Sequence, residues 1–158
     1  MKGKILLGLS VLLFFAACKK EDDSGGTNVQ KMSGEWWVKI SVNNSLIDPR
    51  YFKVLTYNTS ENLANKMWLD DQQNIWPVKI KVDVDPSNQT FNSAGSTSEY
   101  SNITVKVNNG KVMTDVTKGP VSRAATDSIY FEAEFSDDAG TVYQFAGYRR
   151  TRFAEDDH

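Results

Sequence analysis

Two pairs of aspartates are the closest that this sequence comes to a set of catalytic residues. Asp70 and Asp71 are adjacent, and Asp83 and Asp85 are two residues apart. Two carboxyl groups in one cleft can divide the roles of general acid and general base. Asp70 and Asp71, however, fall in a predicted turn, where aspartate binds the local backbone. Asp83 is predicted to face solvent, and Asp85 precedes a proline at a strand end. We therefore expect structural roles and assign no catalytic residue and no cofactor.

The small numbers of cysteine and histidine residues and the near-neutral charge exclude several other functions. The 158 residues include one cysteine, Cys18, and one histidine, His158. An internal disulfide and a zinc site built from several Cys or His ligands are therefore excluded. Residues 70–74 offer oxygen ligands without the spacing of a helix–loop–helix calcium loop, so no metal site is predicted. The 18 Lys and Arg against 20 Asp and Glu give a net charge of −2, which excludes a nucleic-acid partner bound by bulk charge.

The amino-terminal residues predict export and lipid attachment. Lys2 and Lys4 flank the start of an apolar run over residues 5–17. At about 1.5 Å per residue this run is about 20 Å long, too short for a membrane span and typical of a signal peptide. Two alanines precede Cys18 in a stretch that resembles a bacterial lipoprotein box, although Phe15 replaces the usual Leu or Val. We expect residues 1–17 to be removed and Cys18 to become a membrane anchor, the alternative being a plain secretory signal.

Polar segments flank the predicted domain. Residues 18–33 carry the lipidated cysteine and are then predicted to be a flexible tether. Its cluster of lysines and acidic residues, residues 19–23, resembles the surface-export signal of Bacteroidetes lipoproteins. Residues 154–158 are predicted to be an acidic tail. These features predict an outer-membrane lipoprotein whose domain faces either the periplasm or the medium.

From Gly34 onward the apolar residues follow the two-residue period of β-strands. The period is clear in residues 36–42, 78–84, 103–107 and 129–135. More mixed strands are predicted at residues 50–58, 66–70, 111–116 and 141–150, with turns between them such as Asn108-Asn109-Gly110. About eight strands with one apolar face each form a sandwich or a closed barrel. Tight turns between consecutive strands favour the up-and-down barrel. Closure of the barrel also removes exposed strand edges.

One motif favours closure. Gly34 and Trp36 open the first strand and resemble the Gly-x-Trp motif of lipocalin-like (calycin) proteins, in which the tryptophan plugs the closed end and an arginine of the last strand lies on it. If Tyr143 and Phe145 point inward, alternation brings Arg149 to the same face. We predict a single antiparallel lipocalin-like β-barrel, closed by Gly34, Trp36 and Arg149.

The resemblance extends over the predicted domain, residues 34–153. Five stretches resemble the Bacteroidetes lipoprotein family of lipid-binding putative hydrolases: residues 34–40, 67–82, 103–112, 127–135 and 147–153. Arg152 departs from the small residue expected there. The resemblance implies a lipocalin-like fold and binding of a lipid or another hydrophobic ligand. No residue that we can identify carries the hydrolase half of the family name.

Aromatic residues are the candidates for lining a ligand site. A barrel of about eight strands either fills its interior with side chains or holds one small molecule. The six candidates are Trp36, Tyr57, Trp68, Trp76, Tyr143 and Phe145. Trp37 is out of phase with Trp36 and is predicted to lie on the outer face.

Three functions follow as hypotheses, and the sequence indicates no protein partner. Non-catalytic binding of a small hydrophobic or amphipathic ligand, in the barrel or at its mouth, requires a cavity on the order of 300 Å³. A carbohydrate-binding or assembly protein using the outer face, including Trp37, requires exposed aromatic side chains and a solid interior. A carboxylate-dependent hydrolase requires two buried carboxyl groups in one cleft or a metal.

Overall fold

The computed structural model describes residues 26–158, so that the predicted signal peptide and Cys18 lie outside the described residues. Eight antiparallel strands follow one another around a closed barrel, and the last pairs with the first. The strands are β1 Gly34–Val42, β2 Ser45–Asn58, β3 Lys66–Asp70, β4 Lys79–Asp85, β5 Thr90–Thr97, β6 Thr104–Lys118, β7 Ala125–Phe135 and β8 Tyr143–Arg149. The prediction of an all-β, antiparallel barrel is confirmed, and the sandwich is not formed. In the described part of the chain, no helix has the length and hydrophobicity of a membrane crossing.

The two-residue period explains the core. In β4, Ile80 and Val82 are fully buried while Lys81 between them faces outward. In β7, Ile129, Phe131 and Phe135 are buried in the same alternation. Each strand therefore presents one apolar face to the barrel interior.

The structure corrects one strand boundary and adds one strand. The turn predicted at Asn108-Asn109-Gly110 is instead part of the continuous strand β6. Asn109 has a left-handed φ of 54°, and the pairing with β7 shifts register between Asn108 and Lys111, which identifies a bulge. Strand β5 was not predicted, because small polar residues make up most of it and Phe91 is its one large inward side chain.

Residues 26–33, predicted to belong to the tether, are packed against the barrel. Gln30–Met32 form a 3-10 turn, and the side chains of Val29 and Met32 are buried in the core. This segment covers the end of the barrel at which β1 begins and β8 ends, here called the closed end. The opposite end, here called the mouth, is bordered by the β1–β2, β3–β4, β5–β6 and β7–β8 connections.

The predicted acidic tail is also packed. Ala154–Asp156 form a 3-10 turn, and the Asp156 carboxylate is fully buried. It accepts hydrogen bonds from the backbone N–H groups of Val121 and Ser122, at 2.8 and 2.9 Å, and from the Thr151 hydroxyl at 2.7 Å. Burial opposes ionisation, but these bonds and the one from the Ser122 hydroxyl outweigh it and hold the pKa of Asp156 well below its usual range. The carboxylate thus fixes the chain end to the β6–β7 hairpin.

Candidate ligand site at the mouth of the barrel

At the closed end, the structure brings Gly34, Trp36 and Arg149 together. Trp36 and Arg149 are paired across the seam between β1 and β8, and the guanidinium lies 4.8 Å from the centre of the Trp36 ring. The same guanidinium donates to the Lys31 carbonyl at 2.9 Å and is ion-paired with Asp127 at 3.1 Å. The last strand, the first strand and the 3-10 turn are therefore joined through one side chain.

Trp36 is fully buried and its indole N–H is satisfied. The N–H donates to the Thr56 hydroxyl at 2.7 Å, which in turn donates to the Met32 carbonyl at 2.5 Å. A Cβ at Gly34 would lie 3.3 Å from the Arg149 Nε and 3.4 Å from the Trp36 ring. Glycine therefore lets the cation and the ring approach each other. Trp36, predicted to line a ligand site, is instead part of a structural plug that fills the barrel interior at this end.

The barrel interior is filled by aromatic side chains. Phe131 stacks on Phe145 with ring centres 4.6 Å apart, and Phe91 packs against Phe131 at 5.9 Å. The remaining internal cavity offers about 20 Å³ to the centre of a water molecule, which is room for about one water. This internal volume is far below the roughly 300 Å³ that a preformed carrier requires.

That small cavity lies at the mouth and is almost wholly apolar. Trp76 and Ile75, from the connection between β3 and β4, cover it. The Trp76 ring stacks on Phe135 with centres 4.4 Å apart and lies 5.0 Å from Tyr143. The other lining residues are Val54, Leu69, Asp71, Val78, Val105, Phe131, Ala133, Phe135 and Phe145. Of the sequence candidates, Trp76 and Phe145 line the cavity, and Tyr143 packs against its cover.

The covering segment, residues 71–78, is here called the mouth loop. It is organised by the Asp71 carboxylate, which is 5% exposed and accepts backbone N–H bonds from within the loop. The donors are Trp76 at 2.7 Å, Gln73 at 2.9 Å, Val78 at 3.2 Å and Ile75 at 3.3 Å. Burial raises the pKa of Asp71 despite these donors. One side chain thus holds the loop, and with it Trp76, over the cavity.

Tyr57 and Trp68 do not line the interior, which corrects the prediction for these two candidates. In β3 the side chains of Met67 and Leu69 are buried in the core, so alternation puts Trp68 on the outer face. There the ammonium groups of Lys79 and Lys81 lie 5.1 and 5.0 Å from the centre of its ring. Tyr57 pairs with Trp68 and shares its face.

The aspartate pairs have the structural contacts expected of them. The hydroxyls of Tyr57 and Tyr100 donate to Asp70 on the outer face, at 2.8 and 3.1 Å, whereas Asp71 faces the cavity. The carboxylates of Asp70 and Asp71, both buried, therefore do not meet in one cleft. Asp83 is ion-paired with Lys66 at 2.5 Å, and Asp85 accepts backbone N–H bonds in the next turn. Among residues 26–158 no three potential metal ligands of the Cys, His, Asp or Glu types lie together.

Trp37 lies on the outer face, but it is covered by the end of the chain. Its indole N–H donates to Asp157 at 3.3 Å, and its ring meets the His158 ring edge-on at 5.5 Å. His158 in turn stacks on Tyr51 at 4.1 Å. Trp37 is consequently 7% exposed and does not offer the open aromatic surface that the carbohydrate hypothesis requires.

The mouth loop was the feature that the sequence analysis missed. Its signal is the apolar pair Ile75-Trp76 directly after the polar turn of residues 70–74. An exposed turn does not need two large apolar residues, so such a pair indicates a loop that folds back onto the core.

The fold and the site together define a lipocalin-like barrel with a plugged end and a covered apolar mouth. A family model, that of the "lipid-binding putative hydrolase" family, matches residues 21–154. The chain belongs to this family. A solved structure from Bacteroides ovatus, described as of unknown function, is similar with 13% sequence identity and a TM-score of 0.45, over 76% of this chain and 42% of that one. The chain therefore spans less than half the length of that protein. No curated protein matches the sequence significantly.

Proposed function

We propose that this protein binds the apolar part of a lipid-like molecule at the mouth of the barrel, in the space that the mouth loop occupies. The observation that carries the proposal is the Trp76 side chain, which fills an otherwise apolar mouth from a loop and not from a strand. Membership of a lipid-binding family supports the same conclusion.

Binding requires the mouth loop to move, because about 20 Å³ accommodates one water and a ligand pocket is on the order of 300–1,000 Å³. The ring stack that holds Trp76 is worth about 0.5–1.5 kcal/mol beyond the apolar area that the ring buries. A ligand chain that takes the place of the ring restores apolar burial at ~0.8 kcal/mol per CH₂. The strands below the loop need not rearrange.

We propose that this binding involves no chemical step. The neighbouring buried carboxylates of Asp70 and Asp71 face opposite sides of the sheet, and both accept several hydrogen bonds. Asp70 thus fixes the side chain of Tyr57, and Asp71 fixes the backbone of the mouth loop.

The test is the affinity for a neutral apolar dye, N-phenyl-1-naphthylamine, measured by fluorescence titration. Trp76→Ala removes the side chain that occupies the site, so we expect at least threefold tighter binding. Trp68→Ala is the matched control, a tryptophan on the outer face, and should bind as the unaltered protein does. Equal affinities for all three proteins, or an effect of Trp68→Ala alone, would overturn the proposed site.

We also propose that Cys18 carries a lipid anchor that holds the domain at the outer membrane, facing the periplasm or the medium. The support is the sequence: basic residues, a short apolar run and a unique cysteine after two alanines. A protein that carries several acyl chains stays bound to the membrane, whereas one acyl chain gives only marginal, reversible membrane binding. Cys18→Ser should move the protein to the soluble fraction, and persistent membrane association of that variant would contradict the anchor.

A further inference from the structure

Three carboxylates surround the covered mouth. Asp71 lines the cavity itself. Asp137, in the β7–β8 connection, accepts a hydrogen bond from the Trp76 indole N–H at 3.2 Å. Asp138, the next residue, accepts one from the Tyr143 hydroxyl at 2.6 Å and raises the pKa of Tyr143 to about 12. Trp76 thus lies between Asp71 at the start of its own loop and the two aspartates of the β7–β8 connection, so we expect the polar end of a ligand that displaces Trp76 to lie near these carboxylates.

The negative charges of these three carboxylates are not balanced by ion pairs within the described part of the chain. In the described residues 26–158, none of the three carboxylates forms an ion pair with a Lys or Arg. Three basic side chains on strands that reach this end have other contacts: Arg50 is paired with Asp48 at 2.7 Å, Lys106 is paired with Glu134 at 3.0 Å, and the Lys79 ammonium lies over the Trp68 ring on the outer face.

We propose that the ligand is an amphiphile whose polar end bears no negative charge, such as a monoacylglycerol or a long-chain alcohol, and that ionised fatty acids are discriminated against. This inference rests on the proposed function and specifies the ligand class of the same site. Like charges repel over the few ångströms between a head group and the rim, and the apolar wall reduces screening by water. Hydroxyl groups, in contrast, can donate hydrogen bonds to carboxylates.

The experiment compares two ligands with the same twelve-carbon acyl chain. 1-Monolauroylglycerol and laurate are titrated into the full chain at pH 8 and low ionic strength, with affinities measured by displacement of N-phenyl-1-naphthylamine. We expect the neutral ligand to bind at least tenfold tighter. The double variant Asp137→Asn/Asp138→Asn should improve laurate binding and reduce that ratio to less than threefold. The readout is the ratio, because any loosening of Trp76 by the loss of Asp137 affects both ligands alike. Asp115→Asn, which removes an exposed charge on the part of β6 near the closed end, should leave the ratio unchanged.

The outcomes separate the two proposals. If laurate binds as tightly as 1-monolauroylglycerol or tighter, or if Asp115→Asn reduces the ratio as much as the double variant does, the charge inference fails while a ligand site at the mouth stands. If neither ligand displaces the dye from any of these proteins, both the proposed function and the inference fail. Loss of the tenfold ratio in 0.5 M salt would support its electrostatic origin.

Discussion

The guanidinium of Arg149 lies over the Trp36 ring, 4.8 Å from its centre, and the two residues are backbone partners across the seam that closes the barrel. A cation over a partly desolvated tryptophan contributes about 1–2 kcal/mol. The same side chain also reaches Asp127 and the Lys31 carbonyl. One residue therefore joins the seam to the plug at the closed end.

Arg149→Ala should lower the free energy of unfolding by about 1–2 kcal/mol, because the contact with the buried Trp36 ring is lost. Urea denaturation followed by circular dichroism measures the change. Arg152→Ala removes an exposed arginine three residues further on and serves as the control. Equal midpoints for both variants would show that the contact does not stabilise the seam.

Gly147→Ala should be strongly destabilising, by about 1–3 kcal/mol or more, because an added Cβ would lie 1.9 Å from the Trp37 carbonyl oxygen on the neighbouring strand. β1 and β8 would have to separate at the point where they close the barrel. Ala146→Ser changes the adjacent exposed position and should have little effect. Thermal unfolding measures both, and an unchanged midpoint for Gly147→Ala would contradict the close approach.

Asp71→Ala should release the mouth loop, since the backbone N–H groups of Gln73, Ile75 and Trp76 lose their acceptor, and a buried donor without a partner costs about 1–3 kcal/mol. The Val78 N–H loses one of its two acceptors and keeps the Trp76 carbonyl. Hydrogen exchange at Trp76 and Val78 should accelerate by at least tenfold. Asp85→Ala, which removes a turn-binding carboxylate from an exposed turn, is the matched control. Unchanged exchange in the mouth loop of Asp71→Ala would show that the carboxylate does not hold it.

Asp71 and Asp156 should titrate on opposite sides of the ordinary aspartate pKa of about 3.9. The pKa of Asp71 is raised, mainly by burial, so protonation of this group favours the folded state at low pH, and that part of the stability is lost as pH rises through the raised value. The backbone N–H bonds to the carboxylate are retained. The pKa of Asp156 is lowered by hydrogen bonds that outweigh burial, so its contribution is present above pH 4 and is lost as pH falls below it. Carboxyl ¹³C NMR titration tests the order, and the reverse order would contradict both assignments.

The contact between Trp36 and Arg149 at the β1–β8 seam could be predicted from the sequence, because side chains alternate strictly between the two faces of a strand. Counting in twos from Phe145 puts Arg149 on the inner face, where the start of β1 also lies. The same rule applied to β3 would have put Trp68 outside, since Met67 and Leu69 are its core residues. Trp68 was predicted to be interior because it is aromatic, although its position between two core residues puts it on the outer face.

Other features depend on contacts that no local pattern encodes. The Asp71 carboxylate holds its loop through the N–H groups of residues up to seven positions away. The packed chain end depends on a buried carboxylate that meets the hairpin of Val121 and Ser122, some 35 residues earlier in the chain. In the sequence alone such polar residues are typical of a tether or a tail, because their partners are distant along the chain.

The most direct test of the site at the mouth is the indole N–H spectrum of the protein during titration with 1-monolauroylglycerol. The Trp76 signal reports on its bond to Asp137 and on its stack against Phe135, while the Trp68 signal reports on the outer face. We predict that the Trp76 resonance shifts in proportion to ligand bound and that the Trp68 resonance stays in place. A stationary Trp76 signal with saturable shifts at Trp68 would contradict a ligand site at the mouth.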